Sequence, residues 1–248
     1  MLAENKKLKI AIIGFGRFGK LLRDILSPYG NIFVLSRKKV NAAFNPIKYQ
    51  DLQSMDWVIL AVPINALEKV LKKISPFLSP QTLVMDVASV KVYPCRWMKE
   101  ILPADVDILG THPMFGPDSI VEGLENLQMV FCPVRISDKN LFQVKKIFQK
   151  IGLKVIETTP QNHDRQSAIS LALVHFIGRG LEKIGIQNQE ISTLGFKRLL
   201  QLKSNVVSDT QELFFDMHNF NPYAAKTRQD FLNALQKINL MLKLKIKK

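Results

Sequence analysis

The sequence predicts an α/β domain with a doubly wound, mostly parallel sheet, followed by an all-α domain. Three observations carry this reading. A buried-strand pattern runs straight into a glycine-rich turn at Gly14, strand and helix patterns then alternate up to Glu157, and no strand pattern follows Pro160. The boundary is drawn between residues 1–158 and 159–248.

The elements follow in order. Leu8 to Ile13 is a nearly unbroken apolar run, as expected of a strand covered on both faces. A helical stretch, 17–26, follows it. Further strand patterns fall at 31–35, 57–62, 83–87, 107–111, 129–134 and 153–157, with helical stretches at 64–74 and 139–151 between them. Such alternation builds parallel strands joined by crossover helices. Thr159 caps a helix whose first position is Pro160, and which runs to about Lys183. Two or three more helices fill 187–245, broken at Asn219-Phe220-Asn221-Pro222. Leu194, Phe196, Leu199, Leu200, Leu202, Leu213, Phe214 and Phe215 are more apolar surface than a thin helical layer covers by itself. A homodimer through the C-terminal helices is expected to take up the surplus.

Composition narrows the class. Of 248 residues, 47% are hydrophobic and 23% charged, which suits a globular domain with a sizeable core. The net charge is +14, but the lysines are scattered apart from a run at the C-terminus. No basic face with interleaved aromatics is visible, so a nucleic-acid partner is not expected, and an anionic substrate and cofactor fit the charge at least as well. No apolar run approaches the roughly 18 residues of a membrane span, and residues 1–9 do not read as a secretory signal. Cys95 and Cys132 stand in no metal or redox spacing. Two buried thiols, no metal, and a reducing cytoplasm are the expectation.

The glycine turn carries chemistry. Gly14-Phe15-Gly16-Arg17-Phe18-Gly19 fits G-x-G-x-x-G between a strand and a helix, the context in which that pattern marks a dinucleotide-binding Rossmann domain. Gly14 permits the tight turn, Gly16 lets the backbone approach a pyrophosphate, and Gly19 allows helix to pack on strand. At the end of the second strand, where an NAD enzyme usually carries a carboxylate, stand Ser36, Arg37 and Lys38. These suit a 2′-phosphate, so NADP is favoured over NAD. Val62 and Pro63 end the third strand where its loop would pass the cofactor, although a plain strand stop fits the same residues.

Two more strand ends are polar: Asp86-Val87-Ala88-Ser89-Val90-Lys91 and Gly110-Thr111-His112-Pro113-Met114-Phe115-Gly116-Pro117. A histidine followed by proline, on a short loop with two glycines, is held rigidly and makes a poor core filler. Together these strings resemble the prephenate/arogenate dehydrogenase family. His163-Asp164-Arg165, His175-Phe176-Ile177-Gly178-Arg179 and residues 219–224 extend the resemblance to nearly the whole chain.

The resemblance implies oxidative decarboxylation of a cyclohexadiene acid, prephenate or arogenate, with His112 as the base that takes the ring hydroxyl's proton. It implies that Ser89 holds the histidine or the hydroxyl by a hydrogen bond. Helical spacing puts Asp164, Ala168, Leu171, His175 and Arg179 on one stripe. His175 and Arg179 are expected to meet the substrate with Ser89 and His112, whereas Asp164 is expected to brace the helix start. Some members grip a carboxylate with an arginine on a later helix; Lys197 and Arg198 lie in that region without the sequence choosing between them. His218 matches nothing in the family and is expected at the surface or an interface. No appended regulatory domain is recognised, so feedback by tyrosine at a separate domain is not expected. The stretch from Met114 to Pro117 resembles the arogenate-type branch, but no single residue reads keto against amino. Two alternatives stand beside this reading: another small NADP reductase of the imine or 3-hydroxyacid type, and a catalytically inactive NADP-sensing protein.

Overall fold

The structure is a computed structural model, described over residues 7–118, 120 and 123–245. Seven strands form one sheet: β1 (Leu8–Ile13), β2 (Gly30–Leu35), β3 (Trp57–Leu60), β4 (Leu83–Asp86), β5 (Asp107–Pro113), β6 (Gln128–Arg135) and β7 (Lys154–Glu157). Their order is β2-β1-β3-β4-β5-β6-β7. Neighbours run parallel except β5 and β6, which pair antiparallel. The chain starts in β1 and winds outward in both directions, so a crevice opens at the carboxyl ends of β1 and β3, where such sheets bind ligand.

The side-chain alternation of β1 shows how the layers form. Ala11 and Ile13 point to a core with Leu67 and Leu71 of α2 (Ile64–Ile74) and Cys95 and Met98 of α3 (Val92–Ile101). Ile10 and Ile12 point to the opposite core, with Leu22 and Leu26 of α1 (Arg17–Leu26) and Val144 and Phe148 of α4 (Asp138–Lys150). Both sheet faces are therefore covered, which is why the strands read as apolar runs rather than as alternating ones.

The structure corrects several sequence-based bounds. β3 stops at Leu60 and β4 at Asp86, so Val62 and Val87 lie beyond their strands. β5 continues to Pro113, so His112 is a strand residue paired with Val130 and not part of a loop. Helix α3 was not read from the sequence at all; Pro94 disguises it, yet proline is tolerated in a first turn, where backbone N–H groups have no helical partner anyway.

After β7 the chain is helical: α5 (Pro160–Ser167), a π-helical stretch over Ala168–Leu173, α6 (Val174–Lys183), α7 (Leu194–Val207), α8 (Gln211–Asn219) and α9 (Ala224–Lys245). Thr159 Oγ1 accepts from Asn162 N at 3.2 Å, capping α5. The chain divides into two compact units, Met1–His163 and Asp164–Lys248, so α5 contributes to both. Within the second unit, a Cβ on Gly178 would lie 2.2 Å from Val206 Cγ2, so only glycine lets α6 and α7 approach this closely. Asn221, in the break before α9, donates through Nδ2 to Asp164 O at 2.9 Å and to Ser167 Oγ at 3.3 Å. Leu235, Ile238, Met241, Leu242 and Leu244 of α9 are exposed. Among the described residues, no helix is long and apolar enough to cross a membrane.

Candidate active site

Register aligns the site along one edge of the sheet. Leu35, Ile13, Leu60, Asp86 and Gly110 are successive partners across β2, β1, β3, β4 and β5. One to three residues further along each chain lie Ser36 and Arg37, Gly14 to Gly16, Ala61 to Pro63, Val87 to Ser89, and Thr111 and His112. Most of the residues that the sequence singles out in this domain therefore reach the same rim. β1 and β5 are three strand spacings apart, about 14 Å at roughly 4.8 Å per step.

The glycine loop has the shape that a dinucleotide requires. Gly14 has φ +98°, and a Cβ there would sit 2.2 Å from Ala61 O. Gly19 packs as closely, with its Cβ position 2.2 Å from Gly14 O. Gly16, by contrast, has nothing within 4 Å of its Cβ position. The two outer glycines are thus required by protein packing, and the middle one opens onto free space at the N-terminus of α1, where unpaired backbone N–H groups favour a phosphate. Val62 lies against this turn, and Pro63 precedes the first residue of α2. Phe15 packs on Phe44, with ring centroids 5.1 Å apart. Arg17 pairs with Asp118, and Phe18 lies 6.3 Å from Phe115; both contacts tie α1 to the segment following β5. Ser36 Oγ accepts from Lys38 N at 3.2 Å, which holds the turn after β2, and the Arg37 and Lys38 side chains are exposed there.

Asp86 and Lys91, both fully buried, form an ion pair. Burying two charges is costly unless every remaining donor and acceptor is used. Here Asp86 also accepts from Ala88 N at 3.0 Å and Thr111 N at 3.3 Å, its backbone carbonyl accepts from the Thr111 hydroxyl, and Lys91 donates to Thr111 O at 2.5 Å. The network locks Thr111, the residue before His112. The polar string after β4 thus sends two of its charges, Asp86 and Lys91, inward to fix the end of β5.

His112 is 6% exposed, and its Nδ1 lies 2.9 Å from Nε2 of His163, itself 4% exposed. Burial holds the His112 pKa well below its usual value, and the neighbouring His163 and Lys91 reinforce this, so the ring is neutral near pH 7. Ser89 Oγ is buried and has no partner among the described residues, so the expected bond from Ser89 to His112 is not made. The sequence missed His163 in this role. In the sequence it stands only in the string His163-Asp164-Arg165, although a histidine one turn beyond the Thr159 cap is a signal.

The helical unit has its own buried polar cluster. His175 Nε2 lies 3.7 Å from Asp209 Oδ2, too far for a hydrogen bond, and its Nδ1 has no partner among the described residues. Arg179 donates to Asp209 O and stacks 5.7 Å from the Phe214 ring, while its Nε has no partner among the described residues. Burial lowers the His175 pKa, opposed by Asp209 and assisted by Arg179. His218, expected at the surface or an interface, is buried against Phe214, with Arg228 donating to its Nδ1 at 2.8 Å. Burial, then Arg228 and His175, push its pKa down to about 4. Its proton therefore sits on Nε2, which has no acceptor among the described residues. Lys197 and Arg198 are exposed on α7.

Comparison with known proteins agrees with this architecture. The family profile for "Prephenate dehydrogenase, nucleotide-binding domain" matches residues 33–157. One for "TYRAAT1-like, C-terminal domain" matches residues 180–248. The chain is 38% identical over 237 residues to Arogenate dehydrogenase 2, chloroplastic, of Arabidopsis thaliana, covering 89% of this chain and 66% of that protein. It is 34% identical over 255 residues to Arogenate dehydrogenase 1, chloroplastic, of the same plant, covering 96% of this chain and 40% of that protein. The chain thus spans less than two thirds of either relative. In fold it resembles the prephenate dehydrogenase from A. aeolicus solved with hydroxyphenyl propionate and NAD+, at TM-score 0.77 and 19% identity, covering 99% of this chain and 94% of that one. Synechocystis arogenate dehydrogenase superposes at TM-score 0.71 with 22% identity, covering 96% and 93%. With a family profile spanning half the chain, and these relatives over most of the rest, the protein belongs to the prephenate/arogenate dehydrogenase family.

Proposed function

We propose that this chain catalyses the NADP-dependent oxidative decarboxylation of prephenate to 4-hydroxyphenylpyruvate, or of arogenate to tyrosine. The observation that carries the proposal is His112: a neutral, buried imidazole at the sheet edge that also holds the open glycine loop. A neutral imidazole accepts the proton of the substrate's ring hydroxyl as the carbon bearing it gives up hydride. The ring-borne carboxylate then leaves as carbon dioxide, and its electron pair completes the aromatic ring. The bound nicotinamide supplies the hydride acceptor. Gly14, Gly16, Gly19 and the N-terminus of α1 hold the pyrophosphate, with Phe15, Arg17, Phe18, Val62 and Pro63 around it, and Ser36, Arg37 and Lys38 receive the 2′-phosphate. Ser89, whose hydroxyl is uncommitted, orients the substrate hydroxyl.

His175 and Arg179 serve the substrate's carboxylate in this reading; their buried, unpartnered nitrogens support it, since burying such donors without an acceptor costs about 1–3 kcal/mol each. The division of labour follows the two units: cofactor and base in the sheet unit, substrate anchoring and pairing of two copies in the helical one. The exposed apolar side chains of α9 support a homodimer. Cys95 and Cys132, buried and joined in no disulfide, fit a reducing compartment such as the cytoplasm.

The test is initial-rate kinetics of the purified chain with NADP and with NAD, on prephenate, arogenate and a panel of 3-hydroxyacids. The proposal expects turnover of one or both cyclohexadienes, higher kcat/KM with NADP, and none with the hydroxyacids. Turnover of hydroxyacids alone would move the chain to the small-reductase class. Comparing kcat/KM for prephenate and arogenate names the substrate.

A further inference from the structure

His112 works as a base through Nε2 only if its own proton sits on Nδ1. Nothing within the ring decides that; the group facing Nδ1 does. In a serine-protease triad a buried carboxylate makes this choice, and forcing the wrong tautomer there costs on the order of 10⁴ in rate. Here the facing group is another imidazole. Nδ1 of His112 and Nε2 of His163 are 2.9 Å apart, within the usual N–H···N range, with the rings edge-on at 67°. A hydrogen bond at this distance takes one proton, which either ring can supply. His163 is fixed from behind, since its backbone N donates to Thr159 O at 2.9 Å inside the capped first turn of α5. His112 is fixed from below by the network of Asp86, Lys91 and Thr111.

We propose that His163 is a positioning residue: its Nε2 accepts the Nδ1 proton of His112 and so leaves the Nε2 lone pair of His112 facing the reacting hydroxyl. This rests on the reading of His112 as the base. The arrangement differs from a triad in one consequence. A carboxylate would raise the basicity of the imidazole, whereas a ring nitrogen, which brings no negative charge, orients it without doing so, in keeping with the lowered pKa of His112. When His112 takes up the substrate's proton at Nε2, its Nδ1–H stays on His163, so the contact keeps the ring's orientation through the transfer.

Two variants of the full chain test this. In His163→Gln the carboxamide oxygen can accept the same proton; kcat should stay within about tenfold of the parent. In His163→Phe the acceptor is gone; kcat should fall by about 10²-fold or more, with KM for the cofactor unchanged, in line with the usual worth of a positioned base. The readout that a merely structural role would not move is the tautomer, taken from nitrogen NMR of histidine-labelled protein without substrate. The proposal expects His112 protonated at Nδ1 in the parent and in His163→Gln, and a shift toward Nε2 protonation in His163→Phe. Protonation at Nε2 in the parent would overturn it, as would a His163→Phe protein with parental tautomer and kcat. If His163→Phe fails to fold, the parent and His163→Gln spectra decide alone. Because the tautomer is read without turnover, a chain that shows the expected tautomer but oxidises neither cyclohexadiene contradicts the proposed reaction and not the positioning.

Discussion

The sheet unit and the helical unit treat their buried polar groups in opposite ways. Around β4 and β5, Asp86, Lys91 and Thr111 satisfy one another and His112 meets His163, and Ser89 Oγ is the one buried side-chain atom of that unit without a partner among the described residues. In the helical unit His175 Nδ1, Arg179 Nε and His218 Nε2 are all in that position. A satisfied network is rigid before any ligand arrives, which suits groups that must meet reacting atoms at fixed geometry. Unsatisfied donors carry a standing cost that an anionic ligand relieves, which suits groups that bind. On the proposed function, the contrast places chemistry at the sheet edge and recognition in the helices.

The largest expected effect tests the sheet side of that contrast. His112→Asn should lower kcat by roughly 10²–10⁴ while leaving NADP binding, measured by fluorescence titration, as it was. A fall in cofactor affinity instead would mean that the imidazole serves the loop and not the reaction. Next comes the network beneath it. Lys91→Met leaves Asp86 buried and unpaired, and should cost the sheet unit about 3–5 kcal/mol in denaturant unfolding. Adding Asp86→Leu should recover much of that loss, since an apolar pair replaces a lone charge; no recovery would show that the pair does more than balance charge.

The helical unit should show itself in pH dependence. His218 has an ordinary pKa of 6.5 and about 4 when folded. Between those values only the unfolded chain binds the proton, so stability is full above pH 6.5 and declines as pH falls toward 4, by on the order of 2–3 kcal/mol. His218→Gln should flatten that slope. His175 and His112, whose pKa values are also lowered, contribute in the same direction and leave a residual slope. The smallest effect is at the rim. Arg37→Ala should raise KM for NADP roughly tenfold to hundredfold, the worth of one charged hydrogen bond at about 1.5–3 kcal/mol, and barely change KM for NAD. Equal changes for both would remove the 2′-phosphate assignment.

Much of the fold was legible because it depends on periodicity and punctuation. The run 8–13, the glycines at 14, 16 and 19, and the cap at Thr159 each follow from local chemistry that the chain cannot disguise. The antiparallel pairing of β5 and β6 was not legible, because a strand pattern is the same in either direction. Helix α3 was hidden by Pro94. Of the candidate site, His112 and Ser89 stood out through the strings around them. The contact of His112 with His163 did not, since it spans residues 51 apart in sequence and depends on where α5 begins relative to β5. The burial of His218 escaped for a similar reason: Phe176, Phe214 and Arg228 come together around it only through the helix packing.

The central claim is that hydride transfer and loss of carbon dioxide occur together on this chain. The most direct measurement follows NADPH absorbance and released carbon dioxide in one reaction, with substrate labelled in the ring-borne carboxylate. The account predicts one NADPH and one carbon dioxide for each molecule of prephenate or arogenate consumed. NADPH formed without carbon dioxide, or no NADPH from either substrate, would contradict it.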